Sequence, residues 1–167
     1  LEKPTSVGKP LQHTRVRVVR EDFSDVDPGE VGEVVISGPN ITPGYWQRPD
    51  ANIDSFTIDS EGARGLHSGD ACTVDDESSI YIVDRYKDMY ISGGENVYPA
   101  EIEQVLYQIE GVAEAAVIGV PDDRWGESGL AILVLKEGCT VESADVIAYC
   151  QQRVARFKVP KAVAVID

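Results

Sequence analysis

Basic residues are scarce in this chain, with 15 Lys and Arg set against 29 Asp and Glu for a net charge of −14. Nucleic-acid binding over a broad surface needs cations to displace phosphate counterions, so that class of function is excluded. One anionic ligand on a local basic cluster remains possible. Cysteine is short as well. Cys72, Cys139 and Cys150 are odd in number and form no C-x-x-C pair, which argues against a zinc site or a disulfide framework. Three reduced thiols of a cytosolic protein is the reading that fits. His13 and His67 are too few and too far apart to build a metal constellation, so no residue is assigned to a metal. Long apolar runs are also missing. The longest covers residues 130–135, far short of the roughly 18 residues a membrane span requires. No basic-then-apolar leader opens the chain. It starts on Leu1 and stops at Asp167, so both ends read as cut and a missing leader carries little weight.

What the chain does contain is ordinary for a globular protein: 43% hydrophobic and 26% charged residues, enough for one domain or two small ones. The first half reads as β structure. Residues 14–20 alternate Arg15 and Arg17 with Val16 and Val18, the period of a half-buried strand. Asp27-Pro28-Gly29 signals a turn, residues 33–37 a second strand, and residues 80–83 a third. Residues 38–50, rich in Gly, Pro and Asn, read as loop. The second half changes character. Pro99 suits the first turn of a helix, and Glu101 and Glu103 suit its positive dipole end. Ile102, Val105, Leu106 and Ile109 form one apolar stripe, with Gly111 as a stop. Residues 113–120 and 129–135 read as buried strands separated by a Pro121-Asp122-Asp123 turn. Residues 143–154 read as a second helix with Ile147, Cys150 and Val154 inward, and residues 162–166 as a closing strand. The fold class expected is α+β, with a boundary near Arg85 between a β-rich piece and a small α+β domain.

Five local patterns carry chemistry. In Ser68-Gly69-Asp70, an acidic residue on a tight glycine turn can accept hydrogen bonds from both hydroxyls of a ribose. Arg85 can add a planar donor. Taken alone, the same tripeptide is a turn in which Asp70 satisfies its own backbone. Lys87 and Asp88 stand at the domain boundary, where a solvated residue can absorb φ/ψ changes, or simply link two domains. Gly93 and Gly94 lack side-chain bulk, so a thin ligand or another chain can approach their backbone; a plain turn needs the same residues. Trp125, in Asp122-Asp123-Arg124-Trp125-Gly126-Glu127, offers a flat indole for stacking or for capping a core. Arg156-Phe157-Lys158-Val159-Pro160-Lys161 sets positive charge beside an aromatic, as adenine and phosphates would require and as a solvated helix end also would.

The run from Asp84 to Glu103, D-R-Y-K-D-M-Y-I-S-G-G-E-N-V-Y-P-A-E-I-E, resembles the hinge-and-loop motif of acyl-CoA synthetases (acid–CoA ligases). These belong to the adenylate-forming, or AMP-binding, superfamily. Ser68-Gly69-Asp70 is similar to the family's Thr-Gly-Asp turn, and residues 156–161 to its Phe-Lys-x-Pro-Lys motif. The Gly-Tyr-Trp at residues 44–46 is similar to a family segment that reads as structural packing.

The resemblance implies that Asp70 and Arg85 hold the ATP ribose and that Lys87 is a hinge between two half-reactions. Gly93, Gly94, Trp125, Phe157 and Lys158 would border the path of CoA. Residues 1–84 would be the C-terminal end of the large AMP-binding domain. Residues 85–167 would be most of a mobile C-terminal α+β domain, ending before the adenylation lysine. The implied activity is ATP-dependent conversion of a carboxylic acid, fatty or aromatic, to an acyl-adenylate and then to an acyl-CoA thioester. Mg2+ would accompany ATP through residues outside this chain. The partners implied are ATP, the acid and CoA, with no nucleic acid and no membrane span. The location is cytoplasmic, or peripheral to a membrane for a long-chain acid. Residues 1–167 would be silent by themselves. Loading of a carrier-protein thiol, and a non-catalytic nucleotide- or CoA-binding module, stay open beside this reading.

Overall fold

Alternating Arg and Val at the start of the chain pair as their period dictates. In the computed structural model, which describes residues 3–59 and 62–166, strand β1 spans Arg15–Val19 and buries Val18 and Val19, which lie on opposite faces of it. The chain divides into two compact units, Leu1–Tyr86 and Lys87–Asp167. The division falls two residues beyond the Asp84 boundary expected from sequence.

The first unit is built around β4, Arg64–Val74, the longest of its strands. One edge of β4 takes β2, Gly32–Ser37, which in turn pairs with β1. The other edge is shared end to end by β3, Phe56–Ile58, against residues 64–66, and β5, Ile80–Arg85, against residues 70–74. All of these pairings are antiparallel. Val18, Val26, Val34, Cys72 and Ile80 form the buried cluster. Part of the 38–50 stretch expected to be loop is helical: α1, Pro49–Ser55, begins where Pro49 supplies a ready-made helical φ and Asp50 an acidic first turn. It buries no residue completely, which is why no apolar stripe advertised it.

The second unit repeats the plan around β9, Gly126–Leu135. A long antiparallel ladder joins it to β8, Val112–Asp122, with Pro121 still paired to Glu127. The turn is therefore Asp123-Arg124-Trp125, two residues later than the proline suggested. β9 also pairs with β10, Ala162–Ile166, in parallel, and with β6, Tyr90–Ser92, at Ser92. A parallel neighbour needs a crossover connection. Here it is α3, Ser143–Gln151, followed by a short 3-10 turn, Arg156–Lys158. β7, Glu95–Val97, completes a hairpin with β6.

Helix α2, Pro99–Leu106, lays Ile102 and Leu106, both fully buried, on the sheet together with Val117, Ala131 and Leu133. In α3 the buried residues are Val146 and Cys150. Ile147, expected inward, is only partly covered, and Val154 packs on the core from beyond the helix end. Glu103 spends its carboxylate on the Val117 amide, 2.9 Å away, rather than on the helix terminus. Tyr90 lies across the register pair Gly119 and Gly129. A Cβ at either glycine would strike its ring or hydroxyl. The ring thus fills a groove that two glycines open in the ladder, a packing device known from designed sheets.

Candidate functional site

Asp70 and Arg85 occupy opposite positions on β4 and β5. The Arg85 Nε donates to Asp70 Oδ1 at 3.0 Å, and its Nη2 reaches the Ser68 carbonyl at 3.4 Å. Their side chains keep 31% and 51% of their surface, so both groups are reachable by a ligand. A surface pair so exposed contributes about 0–1 kcal/mol to folding, too little to be its main purpose. A cleft of about 340 Å3 opens beside Ser68 and Asp70, with walls from Val16, Val34, Ile36 and Ile80.

The sequence pattern indicated a tight turn at Ser68-Gly69-Asp70. The structure has a bulge inside β4 instead. Glu33 pairs with Ala71 and Val35 with His67, so residues 68–70 stand opposite Val34 alone. The bulge falls where the partner on the far edge changes from β3 to β5. Gly69 takes φ +74, which a residue with a Cβ adopts at a cost. Bulged backbone groups need partners of their own. The Gly69 amide donates to Glu33 Oε1 at 3.1 Å, the Asp70 amide to Ser68 Oγ at 3.1 Å, and the Tyr86 amide to the Gly69 carbonyl at 2.9 Å. Ser68 therefore keeps the hydroxyl that the bulge uses.

Lys87 lies exposed in the turn at residues 86–88 and is the first residue of the second unit. Within that unit, Gly93 and Gly94 are the two central residues of the β6–β7 hairpin, at φ +63 and +89. Both are left-handed, the requirement of a type I′ turn. Trp125 packs directly on Gly93: a Cβ there would lie 2.6 Å from the indole Cε3, and the Gly93 amide donates to the Trp125 carbonyl at 2.8 Å. Arg124 and Lys161 stand 5.0 and 5.5 Å from the same ring. Phe157 is half-buried and packs against the core. Lys158 sits 5.6 Å from the Phe157 ring with its ammonium on the Glu101 carboxylate at 2.5 Å, so part of its charge is already matched. Arg156 and Lys161, not Lys158, line the neighbouring cleft of about 480 Å3. The Tyr45 ring packs against Phe56, 6.3 Å between centroids. Tyr45 and Trp46 are both exposed, Trp46 by 86%. Among the described residues no group of three His, Cys, Asp or Glu side chains converges as a metal site. No helix of the described residues is long and apolar enough to cross a membrane.

Glu33 escaped the sequence reading. Its only signal was an acidic residue in an otherwise apolar strand, Gly-Glu-Val-Val-Ile, where a charge without a task would be costly.

A strand-rich α+β chain with an Arg-braced carboxylate on a glycine bulge, then a charged turn and a glycine hairpin under an indole, has the fold of an adenylate-forming enzyme. The family model for the AMP-binding enzyme matches residues 1–46, and that for the AMP-binding enzyme C-terminal domain matches residues 101–167. The chain belongs to this family. It is 47% identical over 166 residues to a feruloyl-CoA synthase of Amycolatopsis, covering 99% of this chain and 33% of that protein. It is 40% identical over 169 residues to a 2-succinylbenzoate–CoA ligase of Geobacillus kaustophilus, covering 100% and 33%. Among solved structures, the o-succinylbenzoate CoA synthetase of Bacillus subtilis in complex with its acyl-adenylate intermediate superposes with a TM-score of 0.89 at 40% identity, over 99% of this chain and 33% of that one. This chain thus spans about a third of the length of the relatives it matches.

Proposed function

We propose that the protein carrying this chain is an acid–CoA ligase. It joins a carboxylic acid, fatty or aromatic, to ATP as an acyl-adenylate with loss of pyrophosphate. The thiol of CoA then displaces AMP to give the thioester. The observation that carries this reading is the Asp70–Arg85 pair across β4 and β5. Asp70 would accept hydrogen bonds from the ribose hydroxyls while Arg85 fixes its carboxylate and adds donors of its own. Relatives that are acid–CoA ligases support the general reaction.

On this reading residues 1–84 close the large AMP-binding domain and residues 85–167 belong to the mobile one. Lys87 supplies the backbone rotation between the two half-reactions. Gly93 and Gly94, without side chains, let the narrow pantetheine arm of CoA pass. Trp125 and Phe157 offer flat apolar surface, and Lys158 a cation for phosphate. Mg2+ arrives with ATP on residues outside this chain.

The test is Asp70→Ala in the protein carrying this chain. Hydrogen bonds to a charged acceptor contribute about 1.5–3 kcal/mol, so ATP use should weaken roughly ten- to hundredfold. A stably folded Asp70→Ala protein with unchanged ATP dependence would remove the assignment.

A further inference from the structure

Most residues around the bulge are engaged by backbone, but one side chain holds it from the neighbouring strand. Glu33, on β2, directs Oε1 to the Gly69 amide at 3.1 Å and Oε2 to His67 Nδ1 at 2.8 Å. The carboxylate therefore spans the bulge from its first flank, His67, to the glycine before Asp70. It is a partly buried bridge, with Glu33 and His67 side chains keeping 26% and 16% of their surface. His67 is held on its other side by the Phe23 ring, edge-on at 5.5 Å between centroids. Phe23 itself sits at φ +65, a conformation rare for a bulky residue, and its carbonyl accepts from Arg17 at 2.9 Å. A backbone outlier of this kind persists only where its surroundings over-determine it. Glu33, His67 and Phe23 thus form a chain of contacts ending at the residue next to Asp70.

We infer that Glu33 is a positioning residue of the ribose site: its bridge to His67 and Gly69 sets the shape of the bulge and so the place of the Asp70 carboxylate. The inference rests on the ribose reading of Asp70. A bulge of three residues against one has many backbone solutions, because the ladder no longer dictates its hydrogen bonds. Tying the Gly69 amide to a side-chain acceptor at a fixed place selects among them. Without that tie, Asp70 still carries its charge and can still attract a hydroxyl. It no longer meets two ribose hydroxyls at once, since such recognition tolerates only about 0.5 Å of error. Glu33 touches no ligand on this view; it acts through Gly69.

The experiment measures the Kd of ATP and of 2′-deoxy-ATP by calorimetry in the protein carrying this chain, and takes their ratio. A residue that shapes the hydroxyl contact alters the ratio. A residue that only supports folding weakens both nucleotides alike. Glu33→Ala should bring the ratio at least fivefold closer to one, and Asp70→Ala should bring it nearly to one. Glu33→Gln, which keeps an acceptor for the Gly69 amide, should recover most of the discrimination. His67→Ala, which removes only one arm of the bridge, should fall between Glu33→Ala and the parent, and it serves as the deciding variant if Glu33→Ala does not fold. An unchanged ratio in Glu33→Ala or His67→Ala, alongside a lost ratio in Asp70→Ala, overturns the positioning role and leaves the ribose reading standing. An unchanged ratio in folded Asp70→Ala overturns the ribose reading, and the role of Glu33 with it.

Discussion

Replacing each glycine of the β6–β7 turn by alanine separates backbone strain from steric contact. Gly93 at φ +63 and Gly94 at φ +89 are both left-handed, so alanine costs about 1–2 kcal/mol at either. Backbone strain alone makes Gly94→Ala the worse, because +89 lies further from the left-handed minimum. Space reverses the order. A Cβ at Gly94 meets nothing within 4 Å, whereas one at Gly93 meets the indole of Trp125 at 2.6 and 2.9 Å. The ring must move by most of an ångström, and it is held in place by the Gly93–Trp125 backbone bond and the flanking Arg124 and Lys161. Overpacking of this sort costs a further ~1–3 kcal/mol. Gly93→Ala should therefore lose about 2–5 kcal/mol and Gly94→Ala about 1–2. Each kcal/mol is worth roughly 4–8 °C in a unit of this size. Thermal unfolding followed by Trp125 emission, in a Trp46→Phe background, reads both. Trp46 is exposed enough for that background change to be harmless. Only Gly93→Ala should shift the native emission. Equal losses, or a larger loss in Gly94→Ala with Trp125 emission unmoved in both, would refute the packing account.

Three further outcomes are expected. Lys87→Pro fixes φ near −65° and restricts Tyr86, so if Lys87 is the pivot, one half-reaction should fail while the other largely survives; adenylate formation and thiolysis of supplied acyl-adenylate are assayed separately, and equal loss of both would indicate misfolding instead. Of the three thiols, burial pushes Cys72 up to about 11 and raises Cys150 too, while Cys139 is exposed. Iodoacetamide at pH 8 should therefore modify one thiol in the native protein and three in denaturant; rapid native modification of two would contradict the burial of Cys72 or Cys150. Leu106→Ala empties a fully buried site between α2 and the sheet and should cost about 2–5 kcal/mol in urea unfolding, whereas Tyr107→Ala, on the exposed side of the helix end, should cost far less.

The elements legible in the sequence were those with a regular apolar pattern. The start of β1 and the stripe of α2 announced themselves by period, and β10 by an unbroken apolar run. β4 did not, because a strand interrupted by a bulge loses its period of two at the point where it matters most. β3, β6 and β7 are three residues each, too short for any period to show. The same contrast holds for the candidate site. Asp70 and Arg85 could be named because the residues around them resemble a family motif, and the structure pairs them directly. Their brace, Glu33, lies 37 residues from Asp70 on another strand, and only the β2–β4 register reveals it. Lys158 was named from a motif resemblance and its charge beside an aromatic, and neither discloses that Glu101 already holds it.

If Lys87 is the hinge, the bond from the Tyr86 amide to the Gly69 carbonyl gives it a fixed root. A lever turns about the first point that is not clamped. Tyr86 is the last residue of the first unit, and its amide is tied to the middle of the bulge that carries Asp70. Rotation beyond it need not unwind β5, since the torque ends on a hydrogen bond instead of on the ladder. On that proposal the same bond makes the bulge and the pivot mechanically adjacent: whatever stiffens residues 68–70, as a nucleotide bound there would, also stiffens the mount of Lys87. Slowed exchange of the Tyr86 amide proton on adding ATP would then report occupancy of the proposed Asp70 site from the residue before Lys87.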